Sequence, residues 1–264
     1  MADTWRGIWV VGYRELIRFV RDRSRIISSI AFPLLFLVIF GAGFSRVMGT
    51  LAPGIDFVRF MYPGIIAMTV LTTSLFAGIG VVWDREFGFL KEILVAPLGR
   101  TGIVLGKATG ATVLALLQAG IMLVIAPLVG VELEITMILA LIPVVVVLSL
   151  GLSGLGILVA SFMRSQQGFQ LAIQLLIFPL IFLAGVFFPV NSVPVWLEVL
   201  AKLNPLTYGV DAIRQIFLGP GAAAAGLGVT VFGHTMTVVE DVLVVGILGA
   251  VLLSAAVWAF RRQE

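Results

Sequence analysis

The chain has 264 residues, of which 60% are apolar and only 12% are charged, and its mean hydropathy is +1.15. A soluble domain carries about 25% charged residues, so this balance excludes a disordered chain, a nucleic-acid-binding module and an ordinary soluble enzyme, and it defines an integral membrane protein. The formal charge is +3, and there are no cysteines, which excludes thiol catalysis, disulfides and cysteine-ligated zinc.

The first 25 residues, MADTWRGIWVVGYRELIRFVRDRSR, lack the plan of a signal peptide: charges and aromatics alternate, and no small-residue cleavage site follows an apolar run. At helical spacing Trp5, Trp9, Tyr13, Leu16 and Val20 share one face, and Arg14, Arg18, Arg21 and Arg25 share the opposite one. Residues 1–25 are therefore expected to form an amphipathic helix in the membrane plane, aromatics toward lipid and arginines toward phosphate and water. Residues 26–264 follow as the membrane domain.

A bilayer core of about 30 Å needs about 20 apolar helical residues. Six stretches qualify, at about 26–45, 61–83, 108–130, 136–162, 169–188 and 242–260. The fourth is long enough to predict tilt or a break near Pro143. Thirteen of the 17 basic residues fall on one side of this layout; only Arg46, Arg59, Lys202 and Arg214 fall on the other. That bias places both termini in the cytoplasm. It also accounts for the basic composition without an acidic ligand. Trp83 and Trp258 are expected at the inner interface, and Tyr62, Trp196 and Tyr208 at the outer one.

None of the six stretches contains Asp, Glu, Lys, Arg or His. Ion-coupled carriers and proton pumps place ionisable groups at membrane depth, and intramembrane hydrolases need a nucleophile with a base or a metal. No catalytic or metal site is expected, and the one histidine, His234, reads as an ordinary outer-loop residue. Uncharged polar groups are present: Thr69, Thr72, Thr73 and Ser74, then Gln118, Ser149, Ser153 and Gln174. They suit interhelical hydrogen bonding or a weakly polar conduit wall. The chain can form a path but carries no energy source.

Residues 84–107, DREFGFLKEILVAPLGRTGIVLGK, make a loop longer than antiparallel spans need. Phe87, Leu90, Ile93 and Leu94 recur at helical spacing among charged neighbours, predicting a short amphipathic helix over 84–97 closed by Pro97 and Gly99. Such an element either forms a solvated turn or docks a cytoplasmic subunit. The run Gly102–Lys107 only imitates a phosphate loop: its glycine spacing is one residue short of GxxxxGK[ST] and Ala108 follows the lysine. With Gly110, its glycines instead form a small-residue face for helix packing. Between spans five and six, residues 189–241 hold two apolar runs too short to span, with Pro194 and Pro205 placed as helix starts and Ser192 and Asn204 as their caps. Two short helices lying at, or dipping into, the outer interface are expected there, buried against protein or lipid.

Three stretches carry a family resemblance: MYPGIIAM opening span two, VVWDREFGFLKEILVAPLGRTGIVLGK after it, and FLAGVFFPVNSVPVWLEVLAKLNPLTYGVDAIR after span five. In these motifs, and in its six-span layout, the chain resembles the ABC-2-type permeases, the membrane subunits of ATP-binding-cassette exporters. It is most similar in flavour to the daunorubicin-resistance and nodulation-factor-export branch. The resemblance implies an all-α bundle of six transmembrane helices, with an N-terminal elbow helix, a cytoplasmic coupling helix and short outer re-entrant helices. It implies an ATPase-coupling site at Asp84, Arg85, Glu86, Phe87, Gly88, Phe89, Glu92 and Pro97, with a second cytoplasmic contact at Arg164 and Ser165 within residues 163–168. It further implies a translocation path along spans two and five, which selects Thr69, Thr72, Thr73, Gln174 and Phe178. The outer re-entrant region would hold Pro189, Trp196, Asn204, Pro205, Tyr208, Asp211 and Arg214.

By the same resemblance, two six-span units pair as a homodimer or heterodimer, and two ATPase subunits carry the ATP and magnesium that this chain does not. The substrate would be an amphipathic drug, lipid or lipid-linked glycan exported across a bacterial or archaeal plasma membrane. The alternatives are a polysaccharide or O-antigen-type export permease, a self-sufficient secondary transporter built from two inverted three-span halves, and an assembly subunit that transports nothing.

Overall fold

The computed structural model describes residues 9, 10, 12, 13, 17, 21, 27, 31–41, 43, 57–87, 100–131, 133–219, 227–231 and 233–262. Its elements are α1 (Ala31–Gly41), α2 (Phe57–Leu75), α3 (Ile79–Glu86), α4 (Arg100–Ile125), α5 (Ile135–Phe162), α6 (Gln166–Leu183), α7 (Val195–Leu203), α8 (Pro205–Leu218), the two-residue strands β1 (Thr230–Val231) and β2 (His234–Thr235), and α9 (Val238–Arg261). Five segments are long and apolar enough to cross a membrane: Phe57–Glu86, Thr101–Leu128, Ile135–Phe162, Gln166–Leu183 and Val238–Arg261. The first expected span is described mainly over Ala31–Gly41, a shorter apolar helix. Of the expected N-terminal amphipathic helix, Trp5, Arg14, Leu16, Arg18, Val20 and Arg25 lie outside the described residues. Trp9 and Tyr13 lie within them, exposed and stacked with centroids 6.4 Å apart. Gly12 lies against Gly106 and Gly110 of α4, where an added Cβ would sit 3.8 Å from the Gly106 carbonyl and the Gly110 nitrogen. The imitation phosphate loop is thus part of a helix, and its small residues face a neighbouring segment.

Helix α5 lies at the centre, packed against α2, α4, α8 and α9. Glycine makes this closeness possible. A Cβ on Gly151 would meet Gly249 Cα at 2.8 Å, one on Gly154 would meet Leu253 N at 2.7 Å, and one on Gly156 would meet Leu75 O at 2.2 Å. In lipid, where apolar surface gives no net drive to association, such close backbone packing holds helices together. Side-chain hydrogen bonds add to it. Ser74 Oγ donates to Ser149 Oγ at 2.8 Å, Thr73 donates to Gln118 Oε1, and the Tyr62 hydroxyl donates to the Met122 carbonyl.

The elements depart from the sequence expectations at several points. No break occurs at Pro143, and α5 is continuous through it, because a single proline removes one ladder hydrogen bond and the remaining turns hold. The interruption falls instead in span two, at the 3-10 turn Phe76–Gly78, which lies against Gly156. Span five ends at Leu183 rather than 188: Gly185 takes a left-handed φ of 73°, and the chain doubles back so that Phe187 packs on Phe36, Phe40 and Phe182. Tyr62 is buried between α2 and α4 rather than at an interface, and Tyr208 is buried with its hydroxyl on the Lys202 carbonyl at 2.8 Å. Trp196 and Trp258 are exposed, as interfacial rings would be.

Helices α7 and α8 begin beside Pro194 and Pro205, as their prolines dictate. Asn204 caps α8, accepting from Leu206 N at 3.0 Å. Ser192 is not a cap: it closes the 3-10 turn Val190–Ser192, and Pro194 precedes α7. The hairpin that follows pairs Thr230 with Thr235 and Val231 with His234. Helix α9 opens with a capping box in which Thr237 and Glu240 satisfy each other's backbone N–H groups. His234 Nε2 lies 3.1 Å from Glu240, tying the hairpin to this cap. Thr237→Ala removes half of the box, and a loss of about 1 kcal/mol is expected, read as a small fall in the melting temperature of the solubilised chain.

Candidate functional site

The long helices alternate in direction, so their charged ends collect at two faces. One face gathers the end of α3, the start of α4, the α5–α6 turn and the end of α9. There Lys107 Nζ lies 3.0 Å from Asp84 Oδ2, with both side chains buried. Arg85 Nη1 donates to the Met163 carbonyl at 2.5 Å and to the Ser161 carbonyl at 3.4 Å. Glu86 Oε2 accepts from the Gln166 N–H at 3.0 Å. Ser165 Oγ accepts from the Gly168 N–H at 3.2 Å, capping α6. Arg261 Nη2 donates to Thr101 Oγ1 at 2.8 Å. The two stretches singled out in the sequence as separate cytoplasmic contacts, 84–97 and 163–168, therefore meet in one cluster through Arg85 and Glu86. Phe87 is exposed beside it, its ring edge-on to Trp83, and Arg164 and Ser165 are exposed too. Gly88, Phe89, Glu92 and Pro97 lie outside the described residues.

The expected path residues occupy different environments. Thr69 is buried, its hydroxyl donating to the Ile65 carbonyl at 2.9 Å. Thr72 and Thr73 are half-buried; Thr72 bonds back to the Met68 carbonyl at 2.9 Å, and Thr73 is held by Gln118. Gln174 and Phe178 are exposed along α6. Only 17% of the apolar window of α6 is buried within the chain, against 72% for Phe57–Glu86.

The opposite face holds a polar cluster that sequence reasoning found only in part. Arg214, Asp211 and Asp241 are 2%, 1% and 0% exposed, so all three ionisable groups sit inside protein. Arg214 Nη2 donates to the Gly185 carbonyl at 2.6 Å, and its guanidinium stacks on Phe60 at 4.1 Å. Burial lowers its pKa to about 10, partly offset by Asp211, so it stays charged at neutral pH. Asp211 Oδ2 accepts from the Val229 N–H at 2.9 Å. Burial pushes the Asp211 carboxyl above its ordinary value, against the pull of that N–H and of Arg214. Gln215 Nε2 bridges Asp211 Oδ2 and Asp241 Oδ2, each at 3.1 Å, and the Met236 carbonyl at 3.0 Å. Asn204 Nδ2 donates to the Leu180 carbonyl at 2.7 Å, and Asn191 Nδ2 to Gly228 O at 2.7 Å. The cluster thus staples α8 to the end of α6, the hairpin and the start of α9. Pro189 precedes the 3-10 turn that carries Asn191, and Trp196 is exposed on α7.

Gln215, Asn191 and Asp241 were missed. Asp241 lay one residue outside the sixth apolar stretch, and only the cap at Thr237 places it inside α9. Lys107, one residue before the third apolar stretch, was missed in the same way, and with it the burial of Asp84 against it. The six stretches as drawn are free of charge, but the helices run past them at both ends and carry buried charges there. Among the described residues, no group of three or more His, Asp or Glu side chains is placed to hold a metal ion.

Long apolar helices, close glycine packing and charges confined to the two ends define a multi-pass α-helical membrane protein. Residues 6–218 match the family model for the ABC-2 type transporter, and the chain belongs to that family. It is 30% identical over 213 residues to the putative transport permease ycf38 of Cyanophora paradoxa, covering 80% of this chain and 73% of that one. It is 32% identical over 219 residues to nodulation protein J of Rhizobium leguminosarum bv. trifolii, covering 81% of each. Over 168 residues it is 34% identical to the probable multidrug ABC transporter permease YbhR of Escherichia coli (strain K12), covering 63% of this chain and 45% of that protein.

Proposed function

We propose that the chain is the membrane subunit of an ATP-driven exporter, forming the path for an amphipathic drug, lipid or lipid-linked glycan in a bacterial or archaeal plasma membrane. The energy comes from a separate ABC ATPase, two copies of which carry ATP and magnesium, and a second six-span unit completes the transporter. The observation that carries this reading is the cluster at the Lys/Arg-rich face. Two segments far apart in sequence present Phe87, Arg164 and Ser165 side by side on one exposed surface, where a cytoplasmic subunit can push on both. The charged groups lie at the helix ends, and the middle of each span holds none. This supports an external energy source over an ion relay within the chain.

Gln174 supports the pairing and the path. An amide exposed in mid-span on a helix that buries so little of itself is poorly suited to lipid, and it is better matched to a facing subunit or a polar conduit. With ATP bound, the ATPase pair closes and displaces segment 84–97, and the assembly moves between two packed states of differing affinity for the closed dimer.

The test is gentle affinity purification of the tagged chain from its native membranes, with mass spectrometry of what accompanies it. The expected result is a stoichiometric subunit containing a GxxxxGK[ST] loop. A chain that purifies alone and moves substrate on an ion gradient would overturn the proposal.

A further inference from the structure

Arg85 and Glu86 are neighbours at the end of α3, yet both reach to the turn between α5 and α6. Their charges match what they meet. Helix α5 ends at Phe162, and a helix end of that kind leaves carbonyls unpaired and partly negative; Arg85 covers the carbonyls of Ser161 and Met163. Helix α6 begins at Gln166, where unpaired N–H groups are partly positive; Glu86 accepts from the Gln166 N–H. Exchanging the two residues would set like charge against like at both helix ends. Helix α6 is otherwise weakly fixed, with the smallest buried share of the five long segments. The placement of its first turn therefore rests on few bonds, and Glu86 supplies one of them.

We infer that Arg85 and Glu86 are positioning residues that fasten the end of α3 to the α5–α6 turn, Arg85 on the carbonyls that close α5 and Glu86 on the first N–H of α6, so that a displacement of the end of α3 is delivered to α6. This rests on the coupling role proposed above and changes its content. The two side chains face the chain's own α5–α6 turn, leaving Phe87, Arg164 and Ser165 as the outward surface. Asp84 and Lys107 complete the base by tying α3 to α4. The end of α3 is thus joined to α4 by one pair of side chains and to the α5–α6 turn by the other.

The chain contains no cysteine, so two introduced ones carry spin labels without background. Gln167→Cys places a label in the first turn of α6, and Trp258→Cys places one on α9; both positions are exposed. The complex with its ATPase, in nanodiscs, is compared without nucleotide and with ATP and vanadate. The expected result is a change in the 167–258 distance in the otherwise unaltered chain. In Glu86→Gln and in Arg85→Gln, the change should fall to about half or less, each variant losing one charged contact at a helix end. Arg85→Lys, which keeps the positive charge, should restore part of it.

An undiminished distance change in Glu86→Gln and Arg85→Gln would overturn the inference. So would the absence of any change in the unaltered complex, or the loss of the ATPase from Glu86→Gln during purification, which would make Glu86 part of the ATPase contact. Glu86 is exposed, so its variant gives a reading even where Arg85→Gln does not fold. Failure of the unaltered chain to bring down any ATPase overturns the proposed function itself, and it is seen before any distance is measured.

Discussion

Lys107→Met is expected to destabilise the solubilised chain by about 3–5 kcal/mol. Lys107 Nζ lies 3.0 Å from Asp84 Oδ2, and the two side chains are 7% and 9% exposed. Removing the ammonium leaves the carboxylate in a poorly polarisable site without the cation that faces it, and a buried charge short of its partner is among the most damaging single changes. Asp84→Leu combined with Lys107→Met removes both charges together. Replacing a buried ion pair by apolar groups of similar size is often neutral or stabilising, so the double variant should melt well above Lys107→Met. Thermal melts of the two single variants and the double variant in detergent close the cycle. Additive losses would show that the two charges do not depend on each other.

Gly156→Val carries the other large effect. A Cβ at position 156 would fall 2.2 Å from the Leu75 carbonyl oxygen and 2.9 Å from Leu75 Cα. These are backbone atoms at the end of α2, so no side-chain rotation relieves the overlap and the helices must part. Overpacking costs about 1–3 kcal/mol where side chains can shift; here the loss should reach or exceed the upper end. Much of the protein should appear as aggregate on size-exclusion chromatography. Gly120→Ala is the control. Nothing lies within 4 Å of its added Cβ, and alanine gains up to about 1 kcal/mol over glycine inside a helix. A Gly156→Val chain as stable as the parent would mean that α2 and α5 do not approach this closely.

Most of the fold was legible because lipid imposes a strict demand. A segment crossing the bilayer must satisfy its backbone internally and present apolar side chains over about 20 residues, and that pattern stands out in any reading of residues 61–83, 108–130, 136–162 and 242–260. The starts of α7 and α8 were legible for a local reason: Pro205 takes the first position of α8, which proline favours, and Pro194 stands just before α7. The break at Phe76–Gly78 was not legible. No proline or charge marks it, and it lies where Gly78 and Gly156 bring two backbones together. The β1–β2 hairpin escaped because two-residue strands leave no periodicity to detect.

The candidate site divides in the same manner. Asp84, Arg85 and Glu86 stood out at the polar edge of an apolar span, while Arg164 and Ser165 came only with the family resemblance. Their meeting was not visible, because a hydrogen bond between residues 86 and 166 has no signature in either stretch. Gln215 and Asp241 look like ordinary loop and helix-cap residues until α8 and α9 are packed.

The sequence by itself determined that this protein lives in a membrane, where its helices run and where its charges are excluded, because those properties follow from the transfer of each side chain between water and lipid. Only the tertiary structure decided which charges are buried, which glycines are indispensable and which two turns share one surface. Each of those depends on what another part of the chain places within a few ångströms, and local composition carries no record of it.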